Sequence, residues 1–258
     1  MIRVAAVGDV HVGRDSRGRL APAFETVDDH ADLLLLAGDL TQVGTEDEAA
    51  ILADELRGVS VPIVAVLGNH DLHSDQTERV VSAIEAAGVQ VLEGEAATFK
   101  FDGSTVGIAG AKGFGGGFAG ACASDFGEPE MKEFIRHTLE RADRVEEALD
   151  DVGDADVRIA LLHYAPVKDT LLGEKLEIYP FLGSYLLGEA VDRAGADLVV
   201  HGHAHHGTEK GLTPGGIRVR NVAHPVIGRP YNVYCLGPEE ECAVGERVPA
   251  GSVEPAVE

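Results

Sequence analysis

Five short apolar runs, each followed at once by a cluster of Asp, Asn or His, constrain the fold of this chain more than any other feature of its sequence. Short runs rich in Val, Ile and Leu are typical of strands buried on both faces, although a buried helix gives the same pattern. The runs are residues 2–7, 33–37, 63–67, 159–162 and 198–200, and they lead into GDVH, GD, GNHD, His163 and HGHAH respectively. This pattern predicts buried strands whose carboxyl ends carry polar side chains.

Segments with helical spacing lie between these runs and are rich in Ala, Glu and Leu. They cover residues 45–57, 76–87, 130–150 and 182–193. Ser74 or Asp75 is a candidate cap for the second segment, and Pro129 suits the first turn of the third. The alternation of strands and helices predicts an α/β fold built from βαβ units, in which ligands gather beyond the carboxyl ends of the strands.

Four later segments have the character of strands with no helix between them. They are residues 98–101, 105–109, 217–222 and 231–236. They predict a second, partly antiparallel sheet that packs on the first. Because no linker separates two domains, we expect a single domain over residues 1–236. A loosely ordered acidic tail, rich in Glu, Pro and Gly, is predicted over residues 237–258.

The charge and hydropathy of the chain exclude some classes of partner. A net charge of −23 argues against binding to long nucleic acid, which needs Lys and Arg. It does not exclude a small anionic substrate, because bound metal ions can dominate the local field. No apolar run reaches the roughly 18–20 residues of a membrane helix, and the N-terminus lacks the features of a signal peptide. We therefore expect a cytoplasmic protein without a membrane partner, and its oligomeric state stays open. The acidic, Lys-poor composition suits a high-salt cytoplasm or a GC-rich genome equally well.

Seven side chains at the ends of the five runs are candidate metal ligands. They are Asp9, His11, Asp39, Asn69, His163, His203 and His205. Oxygen and imidazole donors in this mixture suit Mn, Fe or Zn rather than Ca. The three cysteines show no CxxC spacing, so a thiolate-bound zinc is not indicated. One such residue alone is more typical of a turn, but five clusters together predict a metal site.

The order Asp-x-His, Gly-Asp, Gly-Asn-His-Asp, His, Gly-His-x-His, from Asp9 to His205, resembles that of the calcineurin-like metallophosphoesterases. This resemblance implies a four-layer α/β/β/α sandwich of two mixed sheets, with a dinuclear metal site at the carboxyl ends of the strands. It implies that one metal is held by Asp9, His11, Asp39 and His205. The other would be held by Asp39, Asn69, His163 and His203, so that Asp39 bridges the two.

The same resemblance implies the roles of two further residues and the reaction. His70 would face the substrate, either donating a proton to the leaving group or stabilising its charge, and Asp71 would orient the His70 imidazole. Two divalent or trivalent ions (Mn, Fe or Zn) would activate water against a small phosphate ester, a phosphodiester or a phosphomonoester. The alternatives are a protein phosphatase that acts on a protein partner and a metal-binding scaffold without catalysis. Against the former, residues 38–44 read GDLTQVG rather than GDxVDRG, and the third motif ends in Asp71 rather than Glu.

The remaining motifs indicate no competing chemistry. No Gly-x-Ser-x-Gly or His-Glu-x-x-His is present, and the glycine-rich residues 110–120 (GAKGFGGGFAG) lack the Gly-Lys-Ser/Thr of a P-loop. These residues are interpreted as a flexible loop or as a mobile flap on which Phe114 and Phe118 offer apolar faces to a substrate. His201 and His206 are predicted to lie outside the ligand set.

Overall fold

Two mixed β-sheets lie at the centre of the fold in the computed structural model, which describes residues 1–237. In chain order the strands are β1 (Ile2–Val7), β2 (Leu33–Ala37), β3 (Ile63–Val66), β4 (Val89–Val91), β5 (Glu95–Phe101), β6 (Ser104–Ala111), β7 (Gly117–Phe118), β8 (Ala121–Cys122), β9 (Val157–Leu162), β10 (Leu198–His201), β11 (Lys210–Leu212), β12 (Arg218–Asn221) and β13 (Asn232–Leu236). The helices are α1 (Ala21–Phe24), α2 (Val27–His30), α3 (Glu46–Leu56), α4 (Thr77–Glu85), α5 (Pro129–Asp151), α6 (Tyr179–Leu182), α7 (Tyr185–Ala194) and α8 (His224–Ile227). Short 3₁₀ helices span His70–Leu72, Lys168–Leu171 and Leu176–Ile178.

The inner strands of both sheets run parallel. The first sheet has the order β13-β1-β2-β3-β4, in which only β13 is antiparallel to its neighbour. The second has the order β11-β12-β10-β9-β6-β5, with antiparallel strands at both edges. A parallel arrangement places the carboxyl ends of neighbouring strands at one edge of a sheet, which is where the polar clusters follow.

Three hydrophobic cores separate four layers. The side chains of β2 alternate between two of them: Leu34 and Leu36 pack towards α3 and α4, whereas Leu33 and Leu35 pack between the two sheets. The third core lies between the second sheet and helices α5 and α7. This α/β/β/α arrangement of two mixed sheets confirms the predicted fold class.

The predicted helices all form, with some differences at their starts. Pro129 begins α5 as predicted, but the prediction that Ser74 or Asp75 caps α4 is wrong, because α4 is preceded by Gln76 and has no side-chain cap. The fourth segment divides into α6 and α7 because Gly183 interrupts it and the Ser184 hydroxyl accepts from the main chain of the new helix.

One strand belongs to the other sheet than predicted. The prediction for residues 231–236 in the second sheet is wrong, because β13 pairs antiparallel with β1 and so covers an otherwise open edge of the first sheet. The predicted acidic tail lies outside the described residues, apart from Gly237. Within residues 1–237, no helix has both the length and the apolar character needed to cross a membrane.

Candidate metal centre

The seven candidate ligands converge where five parallel strands end. Asp9 and His11 follow β1, Asp39 follows β2, and Asn69 follows β3. The second sheet contributes His163 after β9, and His203 and His205 after β10. The site therefore lies between the carboxyl ends of the strands of both sheets, as expected for an open α/β arrangement.

The backbone at this site is in a conformation that most side chains avoid. Six non-glycine residues among residues 1–237 have a positive φ, and four of them are candidate ligands. Their φ values are 56° for Asp9, 43° for His11, 49° for Asp39 and 70° for His203. Such conformations cost energy and concentrate at functional sites, where the surrounding fold imposes them.

The first donor cluster joins the ends of β1, β2 and β10. The side chains of Asp9, His11, Asp39 and His205 each offer an atom within 4.8 Å of the others. His205 Nε2 lies 2.9 Å from Asp9 Oδ1 and 3.4 Å from His11 Nε2. His11 Nε2 lies 3.9 Å from Asp39 Oδ2. Two carboxylates and two imidazoles at these distances can hold one metal ion.

The second donor cluster shares Asp39 with the first. Asp39, His163 and His203 again offer atoms within 4.8 Å of one another. His163 Nε2 lies 3.4 Å from Asp39 Oδ1 and 3.1 Å from Asn69 Oδ1, so the asparagine oxygen belongs to the same group. The two oxygens of Asp39 therefore point to different clusters, which is the arrangement a bridging carboxylate needs.

Main-chain carbonyls fix the two histidine rings of the second cluster. His163 Nδ1 lies 2.9 Å from Ala37 O, and His203 Nε2 lies 3.1 Å from Phe181 O. A carbonyl can only accept, so these ring nitrogens carry the hydrogen and donate it. The opposite nitrogens, Nε2 of His163 and Nδ1 of His203, are left as the ligand atoms. A hydrogen bond from the ring nitrogen that does not bind the metal is the usual way in which a metal-binding histidine is oriented.

Burial keeps most of these imidazoles neutral and therefore able to bind metal. It lowers the pKa of His11 to about 4, that of His203 to about 3, and that of His163 well below its usual value. Burial also acts to lower the pKa of His205, but the hydrogen bond and charge of Asp9 raise it. Burial raises the pKa of Asp9 to about 6. Carboxylates held out of water in this way are stabilised by a cation.

Two glycines allow the main chain to pass directly against the carboxylates of Asp39 and Asp9. A Cβ atom at Gly68 would collide with Asp39 Oδ1, and one at Gly202 would collide with Asp9 Oδ2. Each glycine lies just before a candidate ligand, Asn69 or His203. The donor set, its spacing and this close approach all fit a pair of divalent metal ions.

A family model described as calcineurin-like phosphoesterase matches residues 2–207, which is more than half of the chain. The chain belongs to this family. Family membership and the donor clusters together support a metal-dependent phosphoester hydrolase. No curated protein matches this phosphoesterase in sequence.

Solved structures share the fold of this phosphoesterase. Phosphopantetheinyl hydrolase from Mycobacterium tuberculosis is 17% identical with a TM-score of 0.63, over 85% of this chain and 88% of that protein. TT1561 of Thermus thermophilus is 20% identical with a TM-score of 0.55, over 85% and 88% respectively. A putative 5′-nucleotidase from Staphylococcus aureus is 17% identical with a TM-score of 0.55, over 85% of this chain and 48% of that protein. At these identities the similarity shows the fold alone.

His70 lies at the open side of the phosphoesterase site, and its side chain is 43% exposed. Its Nδ1 lies 2.7 Å from Gln42 O, and its Nε2 lies 3.9 Å from Asp39 Oδ2. Because the Gln42 carbonyl can only accept, Nδ1 donates to it and Nε2 faces the site. The imidazole is thus oriented by a main-chain oxygen, which no side-chain motif could have indicated.

The prediction that Asp71 orients the His70 imidazole is wrong. The Asp71 carboxylate is fully buried and accepts hydrogen bonds from the main-chain nitrogens of Leu40 (3.1 Å), Thr41 (2.8 Å) and Gly68 (2.8 Å), and from Thr41 Oγ1 (2.6 Å). Asp71 therefore ties the loop that carries Asp39 to the loop that carries Asn69.

Asp71→Asn should lower the free energy of unfolding by about 2–4 kcal/mol, because an amide cannot accept all four hydrogen bonds. Chemical denaturation measures this loss. Asp54→Asn is a matched control, since Asp54 forms exposed ion pairs with Arg17 and Arg57 and should change stability by less than about 1 kcal/mol. Unchanged stability with a slower reaction would instead favour a direct action of Asp71 on His70.

The glycine-rich residues 110–120 do not form the predicted flap. Phe118 is only 3% exposed and packs in a small core with Leu171 and Leu182, so it offers no face to a substrate. The main-chain nitrogens of Gly116 and Gly117 donate to Pro180 O and Gly183 O. The segment is thus packed on α6 rather than forming an unattached loop.

The other histidines singled out from the sequence lie outside both clusters, as expected. His201 is buried, and its Nε2 lies 2.8 Å from Thr170 Oγ1. His206 is exposed. Two residues beside the second cluster, Lys112 and Tyr164, were missed; the only sequence signal was the position of Tyr164 directly after His163.

Proposed function

We propose that this chain is a dinuclear metallophosphoesterase that hydrolyses a phosphodiester or phosphomonoester of a small molecule. The sharing of Asp39 between the two donor clusters is the observation that carries this proposal. In our assignment one ion is held by Asp9, His11, Asp39 and His205. The other is held by Asp39, Asn69, His163 and His203.

Two ions held there would supply positive charge that lowers the pKa of water and stabilises the phosphoryl oxygens. The residues of the chain hold and orient the reactants around that charge. Asp39 places a negative charge between the two positions, and its Oδ1 also accepts from the main-chain nitrogen of His70 at 2.9 Å. This contact fixes the main chain at His70, and the Nε2 atom of the His70 imidazole faces the open side of the site. His70 is therefore the group we assign to the leaving oxygen, as a proton donor.

The charge of the chain favours a small substrate. A net charge of −23 disfavours a long nucleic acid, whereas a single phosphate ester needs only the local field of the metals. Oxygen and imidazole donors suit Mn, Fe or Zn, in divalent or trivalent form, and we propose ions of this group. We propose a cytoplasmic location for the protein.

Two other functions remain as alternatives. A metal-binding scaffold without catalysis would give no reason for an oriented, partly exposed His70 beside the clusters. A protein phosphatase would turn over a phosphopeptide better than a small ester.

Turnover after metal removal and reconstitution tests the proposal. The protein is treated with a chelator and reloaded with Mn, Fe or Zn, and is then assayed on bis(p-nitrophenyl) phosphate, p-nitrophenyl phosphate and a phosphopeptide. We expect no turnover without metal, and turnover of one or both small esters once metal is restored. The faster ester defines the reaction type. A fully metal-loaded protein without turnover of any phosphate ester would support the scaffold, and a strong preference for the phosphopeptide would support the protein phosphatase.

A further inference from the structure

Lys112 is a buried lysine that lies beside the metal centre and has no role in the reaction proposed above. It directly follows β6, and the residue is only 8% exposed. Its carbonyl accepts from the main-chain nitrogens of His163 (3.1 Å) and Tyr164 (3.0 Å), which fixes it to the second donor cluster. Burying an ammonium group is costly unless another group compensates its charge.

The nearest side chains do not compensate this charge directly. Within residues 1–237, Lys112 forms no ion pair, and its Nζ makes one hydrogen bond, a long one of 3.3 Å to Gly113 O. Glu93, a nearby carboxylate, binds Arg141 at 3.2 Å and the main-chain nitrogen of Lys112 at 3.1 Å. The ammonium lies instead over two aromatic rings, 5.3 Å from the centres of Phe114 and Tyr164.

Tyr164 connects this ammonium to the metal centre. Its ring lies 4.5 Å from the ring of His203 and 5.5 Å from that of His163, measured between ring centres. Within residues 1–237 its hydroxyl forms no hydrogen bond with another protein group, and it reaches solvent although the residue as a whole is only 8% exposed. An accessible hydroxyl on a ring that packs against two candidate metal ligands is free to donate to a substrate bound there.

We propose that Tyr164 is a substrate-binding residue of this centre, whose hydroxyl donates a hydrogen bond to a phosphoryl oxygen of the bound ester. Lys112 is the corresponding positioning residue, whose ammonium lies over the Tyr164 ring and holds it in place. The proposal rests on the proposed function, since it names a contact of the same substrate. A bound phosphate ester would supply an acceptor for the Tyr164 hydroxyl and a negative charge near the Lys112 ammonium.

The arrangement suits a phosphoryl group in particular. A phosphoryl oxygen accepts strongly, and a hydrogen bond to a charged acceptor is about twice as strong as one between neutral groups. The Lys112 ammonium, 5.3 Å from the centre of the ring, adds positive charge beside the phosphoryl group. Packing against Phe114, His203 and Lys112 restricts the ring, so the hydroxyl is held in place before the substrate binds.

Tyr164→Phe tests the contact, because it keeps the ring and removes only the hydroxyl. In the metal-loaded protein we expect the affinity for inorganic phosphate, measured by calorimetry, to fall about 10-fold, and kcat/KM to fall about 10- to 100-fold. Metal content and melting temperature should stay as in the wild type. Tyr231→Phe is the matched control, because Tyr231 is a buried tyrosine whose hydroxyl contacts His30 in the core on the helical side of the first sheet.

Lys112→Met tests the positioning role through a double-mutant cycle. We expect it to lower phosphate affinity about 3- to 10-fold when Tyr164 is present and to have little further effect in the Tyr164→Phe background. If Lys112 had a purely structural role, Lys112→Met would lower the melting temperature. If its buried charge is uncompensated, replacement by an apolar side chain should leave the melting temperature unchanged or raise it.

The phosphate-binding and turnover measurements separate the roles of Tyr164 and Lys112 from the proposed function. Wild-type phosphate affinity in Tyr164→Phe, or loss of metal from that variant, overturns the proposal. Equal effects of Lys112→Met in both backgrounds overturn the role of Lys112. If the wild type binds phosphate in a Tyr164-dependent way but turns over no phosphate ester, the contact stands and the proposed function fails. A metal-loaded wild type that binds no phosphate overturns the contact.

Discussion

Asp39→Asn should empty both metal positions and abolish turnover, whereas Asp9→Asn should empty the first position and spare the second. Asp39 is the residue common to both donor clusters, with Oδ2 3.9 Å from His11 Nε2 and Oδ1 3.4 Å from His163 Nε2. Asparagine keeps the volume of the side chain but removes its charge and one of its oxygens. Loss of a ligand shared by two cations should lower the metal affinity of both positions by more than about 10–100-fold. That is the usual loss when a residue that hydrogen-bonds to a metal ligand is changed.

The comparison with Asp9→Asn distinguishes bridging from general damage to the site. Asp9 belongs to the first cluster alone, but it also accepts from the main-chain nitrogen of His203 at 2.9 Å. An asparagine oxygen can still accept there, so the loop that carries His203 should keep its position. A cation in the second position should therefore remain.

Metal analysis of the purified, reconstituted variants measures this effect directly. Asp192→Asn is a remote control, since Asp192 accepts from Thr213 and Gly215 in a loop away from the clusters, and it should keep two metals per chain. Full occupancy of two metals in Asp39→Asn would contradict the bridging assignment. Loss of both metals from Asp9→Asn would show that the two positions depend on each other through the Asp9–His203 contact.

The fold and the convergence of the candidate ligands could be predicted because both follow from one pattern. A run such as LLLLA in β2 is buried on both faces, so it indicates an inner strand with layers on either side. When parallel strands end at one edge of a sheet, the residues that follow them meet there. The positions of Asp9, Asp39 and Asn69, which follow β1, β2 and β3 of the first sheet, therefore needed no knowledge of side-chain geometry, whereas the place of His163 also depends on how the second sheet packs on the first.

The contacts that the sequence did not indicate are mostly contacts to the main chain. Gln42 O orients His70 and Phe181 O orients His203, and a carbonyl oxygen is present at every residue whatever its side chain. Asp71 was misassigned for a related reason, because three of its four hydrogen bonds come from main-chain nitrogens, two of them in a loop some thirty positions away. Likewise, β13 follows a helix and could have joined either sheet, and its place is set by the open edge of β1.

His70→Ala should keep both metals and reduce kcat about 10²–10⁴-fold on an alkyl phosphate ester, the usual contribution of a general acid. The imidazole donates from Nδ1 to Gln42 O, so Nε2 is the atom available to the leaving oxygen. An alkoxide leaves poorly without a proton, whereas p-nitrophenolate leaves readily. The loss on a p-nitrophenyl ester should therefore be smaller than on the alkyl ester.

Metal content is measured first in this experiment, because loss of metal would make His70 a ligand and contradict its assignment. His30→Ala serves as the control, since His30 lies on α2 and contacts Thr26 and Tyr231 rather than the clusters. If the metals stay and both esters slow equally, His70 positions the phosphate or the attacking water, because protonation of the leaving oxygen would make the effect depend on the leaving group. If neither ester slows, the oriented imidazole has no part in the reaction, and the resemblance to the family fails at this residue.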